Sequence, residues 1–196
     1  MDHRIFIGIG SNIGNSRENC LTSIKNISKD GRATRISSSS LYLTSPVSEV
    51  KQGDFINCAI SLEWEGTPLE LQSLLQRIEA NMGRTRKIKN GPRIIDLDIL
   101  LFSDLILSNQ RLIIPHPELH KRRFAIIPSL EIEPEILHPL YKKPLKSFLC
   151  EIEEEQICKK LPLDIWTSYT LYWHVKASTS IKNDGENINN SRQCGF

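Results

Sequence analysis

Two carboxylates interrupt an apolar stretch near the middle of the chain. Residues 93–102 read RIIDLDILLF, so Asp96 and Asp98 lie two positions apart in a run typical of a buried β-strand. Because side chains alternate along a strand, both aspartates should project from one face. The positions expected to anchor the opposite face are Ile95, Leu97, Ile99 and Leu101. Adjacent carboxylates need a compensating cation or several arginines, and a hard divalent cation that holds phosphates is the natural candidate.

Basic residues lie on both sides of this strand in the sequence. Residues 83–93, GRTRKIKNGPR, contain five cations in eleven positions. A charge run alone is usually a solvated loop, but guanidinium groups beside paired aspartates favour a polyphosphate site. Residues 115–124, PHPELHKRRF, form a second basic cluster. Two interpretations stay open for this cluster, closure over the same phosphates and an ordinary surface loop.

A third group of residues could bind a flat heterocycle. Phe55 and Asn57 share one face of a predicted strand, and Thr44 and Pro46 lie in the loop before it. An aromatic ring beside an amide can stack on and hydrogen-bond a heterocyclic ring, although core packing is the commoner role of such a phenylalanine. The chain has no Walker A motif, so a nucleotide would have to bind without a P-loop.

The elements that must position these residues alternate along the chain. Hydrophobic patterns and turn residues predict strands over 4–10, 33–43, 55–65 and the aspartate segment, with helices over about 16–28 and from residue 67 to 83. Thr67, Pro68 and Glu70 form a capping box that starts the second helix. The order βαββαβ predicts an α+β, ferredoxin-like antiparallel sheet with helices on one face. We also expect a hairpin over 105–114 and short C-terminal helices near 123–131 and 144–154.

Composition limits the broad class of protein. At 196 residues and 39% hydrophobic, the chain predicts one domain over 1–160 and an extension over 161–196, with an aromatic segment and then a disordered tail. A net charge of +2 argues against nucleic-acid or membrane partners. No apolar run reaches about 20 residues and no signal peptide is evident, which predicts a cytoplasmic protein. Five scattered cysteines without a Cys-x-x-Cys pair argue against disulfide or thiolate zinc frameworks.

Taken in order, these motifs resemble the 6-hydroxymethyl-7,8-dihydropterin pyrophosphokinases of folate biosynthesis. The resemblance spans about residues 4–150. The motifs that carry it are IGSNIG at 9–14, RIE at 77–79 followed by Gly83-Arg84-x-Arg86, GPRIIDLD at 91–98, and Pro115-His116 with Arg122. The resemblance implies Mg²⁺-dependent transfer of diphosphate from ATP to the pterin hydroxymethyl group, with release of AMP. It also implies two magnesium ions at the aspartate pair.

The same resemblance assigns individual roles. The implied catalytic residues are Arg84, Arg93, Asp96 and Asp98, and both aspartates are the implied metal ligands. The implied ATP-site residues are Gln76, Glu79, Arg84, Arg86, Arg93, Ile99, Arg111, His116 and Arg122. The implied pterin-site residues are Thr44, Val47, Phe55, Asn57, Asp96 and Phe124. The chain departs from the family pattern at Asn90, where tryptophan is usual, and at Phe55 and Pro117, where tyrosine is common.

Other functions remain open from the sequence. A ferredoxin-like RNA-binding module would use the basic loops and exposed sheet aromatics such as Phe6 and Phe55. A two-metal nuclease would use the same aspartates. The extension over 161–196 is either a remnant of a linker to neighbouring folate-pathway enzymes, which are candidate partners, or an unrelated addition.

Overall fold

The computed structural model describes residues 4–48, 50–85, 90–152 and 156–162. Within those residues the elements follow in the order β1, α1, β2, β3, β4, α2, β5, β6, β7, α3, β8, β9 and β10. The strands are Arg4–Ser11, Ala33–Ser38, Tyr42–Thr44, Phe55–Trp64, Asp96–Phe102, Leu107–Ser108, Ile113–Ile114, Leu137–His138, Lys143–Pro144 and Cys158–Lys160. The α-helices are Ser16–Ile27, Pro68–Asn81 and Arg123–Ile132. No helix in this described part is long and apolar enough to cross a membrane.

The main sheet is antiparallel and has six strands among the described residues. Its hydrogen-bonded order is β10-β3-β4-β1-β5, and β2 also pairs with β4. The long strands β1 and β4 lie at its centre and consist mostly of buried residues, as expected where both faces of a sheet are covered. The predicted antiparallel sheet with packed helices is therefore present.

The second predicted strand is divided into two strands. β2 pairs with the C-terminal half of β4, and β3 pairs with its N-terminal end. Between them the Ser39 hydroxyl accepts a hydrogen bond from the Ala59 amide at 2.9 Å, which replaces a bond of the regular ladder. The prediction of one continuous strand over 33–43 is wrong for this reason.

Both predicted helices begin and end close to the expected positions. The Asn15 side chain caps α1 by accepting a hydrogen bond from the Glu18 amide. Thr67 and Glu70 form the predicted reciprocal capping box on α2. The apolar stripes of α1 and α2 pack on one face of the sheet and form the larger core there.

A second core lies on the opposite face of the sheet. There α3 and a 3-10 helix over Leu145–Glu151 pack on Phe6, Leu100 and Leu101. Strict alternation predicts that Leu101 shares a face with Ile99. The register of β1 against β5 shifts beside Phe6, however, and this bulge turns both leucines toward α3. The predicted face of Leu101 is therefore wrong, and the expected last helix is a 3-10 helix.

The remaining short elements agree with expectation. β6 and β7 pair as the predicted hairpin, and α3 covers the predicted residues 123–131. The predicted disordered tail falls in residues 163–196, outside the described part of the chain.

Candidate active site

The two aspartates lie at the start of β5, beside the central strand β1. Asp96 pairs with Gly10 and Asp98 pairs with Gly8 across the β1–β5 ladder. Because glycines have no side chains, the sheet face next to the carboxylates stays open. The intervening Leu97 is buried in the larger core. Both aspartates therefore share one face of the strand, as alternation predicts.

Asp96 is compensated by arginines from the basic loop. Its carboxylate contacts Arg84 at 2.7 Å through one oxygen and Arg93 at 3.2 Å through the other. Arg84 also forms an ion pair with Glu79, which is 5% exposed on α2. The Glu79 carboxylate accepts a hydrogen bond at 2.7 Å from the backbone amide of Leu97. Helix α2 is thus joined to β5 between the two aspartates.

Asp98 is compensated much less than Asp96. The Nε2 atom of His116 lies 4.0 Å from one of its carboxylate oxygens. Partial burial, and then the adjacent Asp96 carboxylate, raise the pKa of Asp98 to about 7, and Arg122 opposes this shift. An anionic Asp98 therefore lacks the positive charge that Asp96 receives from two arginines.

His116 is held as a neutral hydrogen-bond donor. Burial, and then the Arg122 guanidinium, lower the pKa of His116 to about 4. Its Nδ1 accepts a hydrogen bond at 3.1 Å from the Glu118 amide. A neutral imidazole carries one proton, so this proton is placed on Nε2, which faces Asp98. The ring can donate to an anion in the space beside Asp98.

Two cavities meet at these residues. The first, which we name the nucleotide cavity, has a volume of about 300 Å³ and lies between α2, β5 and the β6–β7 hairpin. The second, the substrate cavity, has a volume of about 510 Å³ and lies over β1, β4 and the loop after β3. Arg84, Asp98 and His116 line both cavities. A group bound in one cavity would therefore lie next to a group bound in the other.

The predicted residues that the structure describes line these cavities. Those in the nucleotide cavity are Gln76, Glu79, Arg84, Asp98, Ile99, Arg111 and His116. Those in the substrate cavity are Thr44, Val47, Phe55, Asn57, Arg84, Arg93, Asp96, Asp98, His116, Arg122 and Phe124. Arg86, the remaining predicted residue, lies outside the described residues. The placement brings these residues together, and their individual roles stay predictions.

The floor of the substrate cavity contains a fixed amide. Asn57 Nδ2 donates a hydrogen bond to the Thr44 hydroxyl at 2.6 Å, and both side chains are buried. This bond directs Asn57 Oδ1 toward Gly10, where a Cβ atom would lie only 2.5 Å from the oxygen. The amide carbonyl is therefore fixed in place as an acceptor.

Arginines cover both predicted stacking rings. The Arg93 guanidinium lies 5.1 Å from the centroid of the Phe55 ring, and that of Arg122 lies 5.6 Å from the centroid of the Phe124 ring. Both distances fit cation–π contacts. Phe55 is 7% exposed and Phe6 is 3% exposed, so the sheet does not present the open aromatic surface that the RNA-binding alternative requires.

Two polar residues that the sequence did not single out connect the loops around the cavity. Asn12 Nδ2 donates to Gln52 Oε1 at 3.0 Å, and Asn12 Oδ1 accepts from the Arg93 amide at 2.8 Å. Gln52 Nε2 donates in turn to the Asn90 carbonyl at 2.8 Å. Asn90 has a φ of 57°, a left-handed conformation that asparagine tolerates better than tryptophan. Asparagine at position 90, where the family usually has tryptophan, is therefore compatible with the hydrogen bonds that connect these loops.

Comparison with known proteins identifies the family. The family model for 7,8-dihydro-6-hydroxymethylpterin-pyrophosphokinase (HPPK) matches residues 6–134. The chain belongs to this family. HPPK enzymes catalyse pyrophosphoryl transfer in folate biosynthesis and use ATP as co-substrate. The chain is accordingly an enzyme of the HPPK family, as the sequence motifs predict.

Individual relatives of this HPPK cover most of the described domain. A 2-amino-4-hydroxy-6-hydroxymethyldihydropteridine pyrophosphokinase of Aquifex aeolicus is 36% identical over 154 residues, which are 79% of this chain and 95% of the relative. That of Haemophilus influenzae is 38% identical over 134 residues, 68% of this chain and 84% of the relative. A crystal structure of a Plasmodium falciparum HPPK-DHPS triple mutant with pteroate has a TM-score of 0.60 at 15% identity. The alignment covers 76% of this chain but 43% of that one, and it supports the fold alone.

Proposed function

We propose that this HPPK transfers the terminal diphosphate of ATP to 6-hydroxymethyl-7,8-dihydropterin and releases AMP, with Mg²⁺ bound at Asp96 and Asp98. The observation that carries the proposal is the pair of adjoining cavities, which share Arg84, Asp98 and His116 as a common wall. ATP would occupy the nucleotide cavity and direct its phosphates toward this wall. The pterin would occupy the substrate cavity with its hydroxymethyl group at the same place.

The substrate cavity suits a pterin ring in shape and in polarity. Phe55 and Phe124 offer aromatic faces once the guanidinium groups that cover them move to phosphate oxygens. The fixed Asn57 carbonyl offers an acceptor to a ring N–H or amino group. Thr44 and Val47 line the same cavity. A flat ring with donors on one edge fits this combination.

The aspartate pair suits a hard divalent cation. Asp98 keeps 42% of its side-chain surface exposed and receives little compensation. The described residues contain no cluster of three or more His, Cys, Asp or Glu side chains that could hold a metal ion. Two carboxylates with water and phosphate oxygens as the other ligands are what Mg²⁺ prefers, so the residues fit. Asp96 and Asp98 would hold Mg²⁺, which would supply positive charge against the negative charge that develops on the phosphates.

The chain's own groups orient the reactants and stabilise the charge. Arg84 and Arg93 are held at Asp96, and the buried Arg93 Nε has no hydrogen-bond partner among the described residues. Nη and Nε donors there would bind oxygens of the transferred diphosphate, and His116 Nε2–H would donate to another. The pterin hydroxyl oxygen would attack the β-phosphorus, the bond from that phosphorus to the oxygen of AMP would break, and the hydroxyl proton would be lost to solvent. Alignment of this single displacement needs no covalent intermediate on the protein.

The proposal also covers the fold type, the domain bounds, the partners and the location of the protein. We assign the sheet order, with β2 and β3 as one divided strand, to a ferredoxin-like βαββαβ arrangement. The enzyme domain would span residues 1–160, and residues 161–196 would be an extension that has a role other than catalysis. The name HPPK-DHPS of the structural relatives supports folate-pathway enzymes as partners. We also propose a cytoplasmic location without nucleic-acid or membrane partners.

The decisive experiment follows the nucleotide product. Incubation with ATP, Mg²⁺ and the hydroxymethyl dihydropterin should yield AMP and the pterin diphosphate in equal amounts. Release of ADP, or no turnover, would refute the proposal. Asp98→Ala should abolish turnover and weaken Mn²⁺ binding while the circular dichroism spectrum stays unchanged. Asp104→Ala, which alters an exposed aspartate in the turn after β5, is the matched control and should retain full activity.

A further inference from the structure

A short segment beyond the family match contacts both walls of the substrate cavity. The family match ends at residue 134, whereas the described chain resumes at residues 156–162. We name these residues the C-terminal segment. Its strand β10 pairs antiparallel with β3, so that Cys158 lies opposite Thr44. The segment therefore runs alongside the strand that leads into the pterin-side loop.

Gln156 holds the backbone on either side of Arg122. Its Oε1 accepts a hydrogen bond from the Arg123 amide at 3.1 Å, and its Nε2 donates to the Lys121 carbonyl at 3.1 Å. Arg122 and Phe124 both line the substrate cavity. One carboxamide thus binds the two peptide groups that flank the arginine, much as a strand neighbour would.

The next residue holds the opposite wall. The Ile157 amide donates to the Ser45 hydroxyl at 3.0 Å, and the Ile157 carbonyl accepts from the Ser45 amide at 3.2 Å. Ser45 follows Thr44 and lines the cavity together with it. Residues 156 and 157 therefore connect the wall that contains Thr44 with the wall that contains Arg122 and Phe124.

A partly exposed carboxylate anchors the other end of the segment. Lys160 Nζ contacts Glu131 on α3 at 2.6 Å. The same carboxylate accepts hydrogen bonds from the Ser40 amide, the Ser40 hydroxyl and the Tyr42 hydroxyl. These contacts join β10, α3 and the approach to β3. The segment is therefore fixed at both ends, which lets Gln156 set the distance between the two walls.

We propose that Gln156 is a positioning residue for diphosphate transfer, acting through the backbone of residues 121–124. It keeps Arg122 and Phe124 at the correct separation from Thr44 and Asn57. Neither Arg122 nor Phe124 lines the nucleotide cavity, so Gln156 can affect ATP only through the contact that Arg122 would make with phosphate oxygens. The inference rests on the proposed function for its substrate, but the structural contact can be tested without turnover.

Kinetics of the full-length chain provide the first test. Gln156→Ala should raise the KM for the dihydropterin about tenfold at saturating Mg²⁺ and ATP, and raise the KM for ATP by a smaller factor. Gln156→Glu keeps the acceptor for the Arg123 amide but loses the donor, so its effect should be intermediate. Lys159→Ala is the control, because Lys159 is exposed and pairs with Leu43 through its backbone. Equal changes in both KM values would indicate a general structural defect and overturn the proposal.

Amide hydrogen exchange of the unliganded chain provides the second test. Gln156→Ala should accelerate exchange of the Arg123 amide about tenfold, and leave the amides of β1 unchanged. Unchanged exchange at Arg123 would overturn the proposal whatever the enzyme does. If the wild-type chain makes no AMP but exchange at Arg123 responds as expected, the proposed reaction fails while the contact made by Gln156 stands.

Discussion

Alanine at position 10 should disturb the substrate cavity through one atom of Asn57. Gly10 faces Asn57 across β1 and β4, and a Cβ atom there would lie 2.5 Å from Asn57 Oδ1 and 3.9 Å from the Phe55 ring. Ordinary contacts begin near 3.4 Å, so the oxygen must move by about 0.9 Å. That movement breaks the 2.6 Å hydrogen bond to Thr44, since both partners are enclosed by the sheet.

The cost follows from the burial of that hydrogen bond. Loss of a buried hydrogen bond costs about 1–3 kcal/mol. A displaced Asn57 carbonyl also loses the hydrogen bond that it would accept from the ligand. Taking about 2 kcal/mol for that bond, and about 1.4 kcal/mol for each factor of ten, the affinity for the ligand should fall about thirtyfold. We therefore expect Gly10→Ala to raise the KM for the dihydropterin about thirtyfold and to change the KM for ATP little.

A double-mutant cycle isolates the cause. In an Asn57→Ala background the obstructing oxygen is gone, so adding Gly10→Ala should change the unfolding free energy by less than about 0.5 kcal/mol. Gly8→Ala is the control, because its Cβ meets the flexible end of Leu100 at 3.2 Å and should cost less than about 1 kcal/mol. If Gly10→Ala costs the same with and without Asn57, the clash is not the cause and the reasoning fails.

Three further predictions concern stability and loop contacts. Burial, and then the nearby His120, lowers the pKa of His138 from 6.5 to about 4, so the stability present above pH 6.5 is lost as the pH falls toward 4. His138→Phe should avoid about 3 kcal/mol of this loss when the unfolding free energies from urea titrations at pH 7 and pH 4 are compared; the same loss in both proteins would contradict the assignment. Glu79→Gln removes the charge that pairs with Arg84 and should lower the unfolding free energy by about 2 kcal/mol. The control Glu135→Gln alters an exposed carboxylate and should lower it hardly at all; equal values for the two variants would refute this prediction. Gln52→Ala removes the hydrogen bond to the Asn90 carbonyl, so proteolytic cleavage at the peptide bond after residue 84 should be several-fold faster in the unliganded chain. An unchanged cleavage rate would show that this hydrogen bond does not restrain the backbone there.

Local patterns were sufficient where the structure is determined locally. The capping box at Thr67 and the apolar spacing of α1 and α2 depend on residues within a few positions of one another, and both predictions are confirmed. Alternation also placed Asp96 and Asp98 on one face. The bulge beside Leu100 could not be predicted in this way, because it depends on the register between β5 and the distant β1.

The site was predictable in its charged residues but not in the contacts that hold the loops. Paired aspartates and a basic run are conspicuous in a sequence, because an apolar strand does not tolerate them without compensation. Asn12, Gln52 and Gln156 are ordinary polar residues, and their importance comes from backbone groups 30 or more positions away. The Ser39 hydroxyl that divides β2 from β3 could not be recognised in the sequence either, because its partner is a backbone amide on another strand.

The common wall between the two cavities also constrains how this enzyme can acquire drug resistance. Arg84, Asp98 and His116 line both cavities, so a substitution at any of them alters both cavities at once. Selection against an inhibitor of the nucleotide cavity must therefore act on residues that line that cavity alone, such as Gln76 and Arg111. If a compound binds mainly to the residues of the common wall, few substitutions could weaken its binding without also weakening the binding of a substrate.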